Sequence, residues 1–203
     1  MNYKSPLLWF TLSFIAVAAI TLVSPPEATL GSNVRIVYLH GAWVWASLAT
    51  FIAAALVGLI ALLLRRENLQ RWSRALGRTG LVFWITYLPL SLWAMQANWN
   101  GLFLSEPRWR FALVFSITGL LLQLGLSFLP LIWSSVGNIA YVIALFVVMA
   151  NTENVMHPPS PMLDSDFGRI QIFFGALTLL LLFAAFQMAR GFLKMDGSGP
   201  KTE

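Results

Sequence analysis

The sequence contains no cysteine among its 203 residues, and only 10% of its residues are charged. The first absence excludes disulfide bonds, thiolate metal sites and thiol catalysis. The second excludes an ordinary globular surface, because a soluble domain is about one quarter charged. The sequence also has no fixed-period repeat, glycine-rich phosphate loop or low-complexity tract. Its net charge of +5 does not require nucleic acid, because membrane orientation accounts for the basic residues.

What the sequence has in abundance is hydrophobic residues, which make up 58% of the chain. They occur in long runs, and a helix needs about 20 mainly apolar residues to cross the hydrocarbon core. We therefore predict an all-α integral membrane protein with six transmembrane helices. The predicted bounds are 7–23, 37–64, 81–95, 111–129, 131–150 and 170–192. Together they form one membrane domain over residues 1–194, and residues 195–203 form a flexible tail.

The first apolar run also has the form of a signal peptide, since Lys4 precedes it. No clear cleavage site of the A-x-A type follows Pro25 and Pro26. We therefore expect an uncleaved first helix.

Basic residues near the ends of the predicted helices indicate their orientation, because they are retained preferentially on the cytoplasmic side. One side carries Lys4, Arg65, Arg66, Arg71, Arg74, Arg78, Arg190, Lys194 and Lys201. The other carries Arg35, Arg108, Arg110 and Arg169. Both termini are therefore predicted to be cytoplasmic. The largest inward connection, residues 65–80, is expected to be a solvated basic anchor.

Both histidines of the chain fall on the predicted outer side. His40 lies just inside the second predicted helix, and His157 follows the fifth helix in a proline-rich loop. A histidine within a membrane span indicates a functional site, although His40 could also bond a carbonyl and His157 could be a plain loop residue. Two imidazoles without a third ligand fit zinc poorly, whereas six-coordinate haem iron requires two protein ligands. The pair therefore favours haem.

Aromatic residues are concentrated on the same side. They are Tyr38, Trp43, Trp45, Trp93, Trp99, Phe103 and Trp109. They could pack against a flat macrocycle, or form the aromatic belt of any membrane protein. The outer arginines could bind haem propionates through charge-assisted hydrogen bonds. Three outer carboxylates are expected to be solvated partners of these arginines, and they are Glu106, Asp164 and Asp166.

The stretch from Arg35 through Tyr38 to His40, with Trp45 five residues later, resembles the start of the second helix in the CcmC family. CcmC is the haem-handling membrane component of cytochrome c maturation. Trp99 with Glu106 and Arg108 resembles the tryptophan-rich motif of that family, which ends in an acidic residue and an arginine. Asn154 stands three residues before His157, as an asparagine does before the second histidine of the family.

The sequence also departs from the family pattern. Gly41 and Ala42 replace a valine and a proline, and Leu102, Phe103 and Ser105 replace inner positions of the tryptophan-rich motif.

The resemblance implies a carrier of haem b rather than an enzyme. It implies that His40 and His157 are the axial ligands at the outer face of a bacterial-type inner membrane. It also implies that Tyr38, Trp45, Trp99 and Glu106 contribute to the site, with Arg35 and Arg108. The expected partners are a periplasmic haem chaperone and the subunits of an ATP-binding-cassette transporter. Two other functions remain open, namely a bis-histidine b-type electron-transfer subunit and a non-haem scaffold or transport subunit.

Overall fold

The computed structural model describes residues 5–156, 162–163 and 165–197. Lys4, His157, Asp164 and Lys201 lie outside these described residues, as do residues 198–203. Within the described part the chain forms six α-helices. They are α1 (Pro6–Leu22), α2 (Val34–Leu64), α3 (Glu67–Trp99), α4 (Pro107–Ser127), α5 (Leu131–Ala150) and α6 (Gly168–Gly197).

The all-helical prediction is confirmed. Helices α2 to α6 are long and apolar enough to cross a membrane, which indicates a multi-pass membrane protein. Helix α1 is apolar but has only 17 residues, a length of about 25 Å, near the short limit for a spanning helix. The crossing of the bilayer by α1 and the cytoplasmic position of the termini stay predictions.

The predicted bounds of α5 are those of the structure, whereas the prediction of a loop over residues 65–80 is wrong. Helix α3 begins at Glu67 and continues to Trp99. Its first half is too polar to stand out as an apolar run, yet Ser73, Gly77 and Gly80 are buried at helical spacing. The α2–α3 connection is therefore only residues 65–66, with Arg65 in the left-handed conformation that commonly ends a helix. Helix α6 likewise includes residues 195–197, which were predicted to belong to the tail.

Helices that follow one another in the sequence run in opposite directions. The Ser47 hydroxyl donates to the Gly80 carbonyl, and the Ser73 hydroxyl donates to the Ala54 carbonyl, both at 2.9 Å. These two contacts fix α2 and α3 as an antiparallel pair, which is the most extensive helix contact in the fold. Two core clusters flank the pair: one joins α1, α2 and α6 with Phe83 of α3, and the other joins α2, α3, α4 and α5.

The alternation of directions gives the bundle two different ends. We call the end with the α2–α3 and α4–α5 connections the first end, and the end with the other three connections the second end. At the second end the Asn33 side chain donates to the Ala97 carbonyl at 2.9 Å, which ties the start of α2 to the last turns of α3. At the first end, Arg78 of α3 pairs with Asp196 of α6 at 2.9 Å.

Arg74, like Arg78, makes structural contacts that a solvated anchor would not make. The Arg74 guanidinium donates to the carbonyls of Leu126 and Leu129, each at 3.0 Å, and to the Ser134 hydroxyl at 2.7 Å. These carbonyls belong to the end of α4 and the turn after it, where the helix cannot satisfy them itself. Arg74 therefore holds the tight α4–α5 turn.

Candidate functional site

His40 lies two turns into α2, about 9 Å along the helix from its start at Val34. Its side chain is half-buried, and its ring centroid is 5.6 Å from that of Tyr87 on α3, with the planes inclined at 51°. Since α2 begins at the second end, the imidazole lies close to that end of the bundle. It has the position expected of an intramembrane histidine that faces the bundle interior.

Tyr87 is a site residue that the sequence did not reveal. It is only 6% exposed and packs edge-to-face against Trp84, with ring centroids 4.9 Å apart. Trp84 in turn donates its indole N–H to the Ala112 carbonyl of α4 at 3.1 Å. An aromatic residue inside an apolar helix looks like any other core residue, so no sequence signal distinguished Tyr87. In the structure it lies between His40 and the α3–α4 connection.

Glu106 was predicted to be a solvated partner of an arginine, and this prediction is wrong. Its side chain is 3% exposed, and its Oε2 accepts a hydrogen bond from the backbone N–H of Trp109 at 2.7 Å. The carboxylate thus caps the first turn of α4, next to Pro107 at the first helical position, where proline is favoured. A negative charge is also favourable at a helix N-terminus.

Three buried polar atoms near this cap have no hydrogen-bond partner among the described residues. They are Oε1 of Glu106, Nε1 of Trp109 and Oδ1 of Asn98. A buried polar group is normally paired, because leaving it unpaired costs about 1–3 kcal/mol. These two acceptors and one donor lie in the last turn of α3 and at the start of α4.

Trp99 ends α3 and is half-buried, with its ring 5.7 Å from that of Phe103 in an edge-to-face contact. The Asn33–Ala97 hydrogen bond brings this end of α3 against the start of α2. The two sequence motifs, one around His40 and one from Trp99 to Arg108, therefore meet at the second end. Arg108 is partly buried in the first turn of α4, whereas Arg35 is exposed in the first turn of α2.

Tyr38 does not share the His40 side of α2. Two residues along a helix are turned by about 200°, so the side chains point in opposite directions. Tyr38 is fully buried against Phe173 of α6, and its hydroxyl donates to the Pro25 carbonyl at 3.2 Å. Its contacts anchor the α1–α2 connection, so the predicted role at the haem site has no support from its position.

Trp45 is 41% exposed and lines a shallow groove of about 280 Å³ with residues of α6 and with Leu163. The α6 residues are Phe174, Gly175, Thr178 and Leu179. Leu163 belongs to the connection between α5 and α6, which also carries His157. The groove is therefore mainly apolar, and Leu163 bounds it at one edge.

The donor set at this end of the bundle fits haem as a bound molecule. It comprises an imidazole near the membrane edge, exposed indole surface and guanidinium groups, which suit iron, a macrocycle and propionates respectively. Within the described ranges, no three His, Cys, Asp or Glu side chains cluster as ligands of a bare metal ion. His157 lies outside those ranges, so the pairing of the two histidines stays a prediction.

No family model matches the sequence. The chain is 27% identical over 186 residues to a curated protein of Marchantia polymorpha, named as a cytochrome c biosynthesis CcmC-like mitochondrial protein. The match covers 90% of this chain and 79% of that protein. The similarity extends over most of the chain and supports the resemblance to the CcmC family.

Proposed function

We propose that this chain acts in cytochrome c biogenesis as a membrane carrier that binds haem b at its second end and presents it to an acceptor. The observation that carries the proposal is the position of His40 near the second end, where Asn33 ties the start of its helix to Ala97, two residues before Trp99. The similarity over 90% of the chain to a protein named for cytochrome c biosynthesis supports the same function.

His40 and His157 are the proposed axial ligands of the iron. Bound haem would supply no reaction of its own here, since it is the cargo that the protein transfers. The residues of the chain bind it and orient it: Arg35 and Arg108 are proposed to hold the propionates, and Trp99 the macrocycle. Trp45 lies two turns after Tyr38 on the α6 side of α2, away from His40, so its predicted place at the haem is not kept in the proposal. Glu106 fixes the first turn of α4, and with it the position of Arg108.

The second end is proposed to face outward across a bacterial-type inner membrane. Basic residues support this orientation, because seven of those described belong to the first end, where the cytoplasm is expected. They are Arg65, Arg66, Arg71, Arg74, Arg78, Arg190 and Lys194. The proposed partners are those that the resemblance implies: a periplasmic haem chaperone at the second end, and subunits of an ATP-binding-cassette transporter.

The first experiment is an absorption spectrum of the detergent-purified protein after haem has been supplied, in the oxidised and reduced states. We expect a Soret band and sharp low-spin reduced bands, as two histidine ligands produce. His40→Ala and His157→Ala should each abolish or shift these bands. Glu67→Ala, at the exposed start of α3, is the matched control and should leave them unchanged. Unchanged bands in both histidine variants would refute the ligand assignment.

A second measurement separates a carrier from an electron-transfer subunit. The haem-loaded protein is mixed with apomyoglobin, and the Soret bands of the two proteins are followed with time. Transfer of haem to apomyoglobin supports delivery, because a carrier must release its cargo. Retention of haem over hours would instead identify a resident b-type haem and overturn the delivery proposal.

A further inference from the structure

An amphipathic groove opens between helices at the first end, on the opposite side of the fold from the proposed haem site. Its volume is about 260 Å³. Helix α3 forms its floor with Leu81 and Val82, and Leu120 of α4 and Phe192 of α6 form its walls. In the part of the chain that the structure describes, α4 and α6 do not pack against each other, so the groove is open toward the surrounding lipid.

Most of the groove is lined by apolar side chains. The three polar residues of its lining, Arg78, Gln123 and Ser127, lie toward the end of α4, with Leu124 between Gln123 and Ser127 along that helix. A membrane lipid has the same division, with a polar headgroup at the bilayer edge and acyl chains below it. From the end of α4 inward, polar and then apolar lining residues follow the order of the headgroup and acyl chains of a lipid.

The charge at the polar end favours an anion. The guanidinium groups of Arg74 and Arg78 interact electrostatically with each other and with the Asp196 carboxylate. The three groups together carry one net positive charge. Arg78 uses Nη1 for Asp196 at 2.9 Å, and its side chain stays 24% exposed. Basic pockets between helices on the cytoplasmic side are typical sites for anionic headgroups.

We propose that this groove binds one anionic phospholipid, with the phosphate at Arg78 and an acyl chain along Leu81, Leu120 and Phe192. The bound lipid bridges α4 and α6 where the protein leaves them apart. The proposal does not depend on haem binding, because the groove lies at the other end of the bundle.

Native mass spectrometry of the purified full chain tests the proposal, with phosphatidylglycerol, phosphatidylcholine or inorganic phosphate added. We expect the wild type to retain phosphatidylglycerol about fivefold better than phosphatidylcholine, as one basic contact near the membrane surface predicts. Arg78→Gln should remove this preference. Asp196→Asn should increase it, because the substitution releases Arg78 from its partner. Arg71→Gln is the control, since Arg71 lies on the same helix in an exposed pair with Glu67.

A second variant tests the apolar part of the groove without a change of charge. Leu120→Trp should fill the groove and reduce retention of both phospholipids. Equal losses in Arg78→Gln and Arg71→Gln would show only a general charge effect and overturn the site. Unchanged retention of phospholipid in Leu120→Trp would also overturn the site. If inorganic phosphate displaces phosphatidylglycerol completely, the groove binds an anion only and the lipid proposal is wrong.

Discussion

The rings of His40 and Tyr87 lie in contact across α2 and α3, with their centroids 5.6 Å apart. The contact joins the helix that carries the proposed ligand to the helix that leads into the tryptophan-containing connection. Tyr87 also packs edge-to-face on Trp84, whose indole N–H donates to the Ala112 carbonyl, so these contacts join α2, α3 and α4 beside the candidate site.

Tyr87→Leu should weaken haem retention about tenfold, because side chains that orient a ligand typically contribute that much to binding. Tyr87→Phe keeps the ring against His40 and should retain haem like the wild type. Haem content of the purified variants, measured as the pyridine haemochrome, checks both. Equal retention by the wild type and Tyr87→Leu would show that Tyr87 has no part in holding His40.

Glu106→Ala should destabilise the protein by about 0.5–2 kcal/mol, the usual cost of losing a helix N-cap. The Oε2 bond to Trp109 is lost in this variant, whereas Glu106→Gln keeps an acceptor oxygen at the same place. The unfolding temperature in detergent should therefore be lower for Glu106→Ala than for Glu106→Gln. If glutamine costs as much as alanine, the negative charge and not the acceptor stabilises α4.

Arg74→Ala should lower the free energy of unfolding by about 1.5–3 kcal/mol, since hydrogen bonds to charged groups contribute about that much. The guanidinium reaches two carbonyls and one hydroxyl around the α4–α5 turn, a geometry that lysine does not reproduce. Arg71→Ala provides the comparison, because its exposed pair with Glu67 contributes about 0.3–0.5 kcal/mol. Similar unfolding temperatures for the two variants would contradict the structural role of Arg74.

Gly77→Ala should destabilise the bundle by about 1–3 kcal/mol, because the added methyl group overpacks a tight contact. Its Cβ would lie 2.7 Å from Nδ2 and 2.8 Å from Cγ of Asn138. Asn138 cannot move freely, since its Nδ2 donates to the Ser73 carbonyl at 2.8 Å and its Oδ1 accepts from Gln123. Gly125→Ala is the control, as a Cβ there meets nothing within 4 Å. Thermal unfolding of the two variants gives the comparison.

The turn that begins at Glu27 should loosen in acid. The Glu27 carboxylate accepts hydrogen bonds from the backbone N–H groups of Leu30 and Thr29, both at 2.8 Å, and these bonds lower its pKa. The stabilisation is therefore present above the unfolded pKa of about 4.3 and is lost as the pH falls through the lower folded value.

Hydrogen exchange of the Leu30 amide, corrected for the intrinsic pH dependence, should show the acid loss of protection in the wild type. In Glu27→Gln the protection should not depend on pH, because the glutamine side chain does not titrate. A wild-type amide whose protection stays constant to pH 3 would contradict the role of the carboxylate.

The apolar runs of the sequence predicted the helical class, and Pro130 and Asn151, which interrupt the fifth run at its two ends, predicted the bounds of α5. The apolar runs failed for the first half of α3, where small polar residues such as Ser73 pack against α2 while arginines occupy the outer positions. The start of α4 was predicted four residues too late, at residue 111, although Pro107 is a typical residue for the first helical position. The burial of Glu106 was not detectable, because it depends on how α3 and α4 meet.

The candidate site was predictable to the extent that its residues are chemically distinctive. Histidine and tryptophan identified His40 and the region of Trp99, whereas Tyr38 shared a motif with His40 but faces α6. Motif order along the chain does not specify the direction of a side chain, which helix packing decides. The role of Tyr87 likewise arises from a contact between helices that are distant in sequence.

The connections of the bundle differ in length between its two ends. Those at the first end are residues 65–66 and 128–130, and those at the second end are residues 23–33, 100–106 and 151–167. An insertion between α2 and α3 would shift Ser47 relative to Gly80, whereas an insertion at the second end only lengthens a loop. The connections at the second end can therefore change in length and sequence while the membrane bundle stays the same.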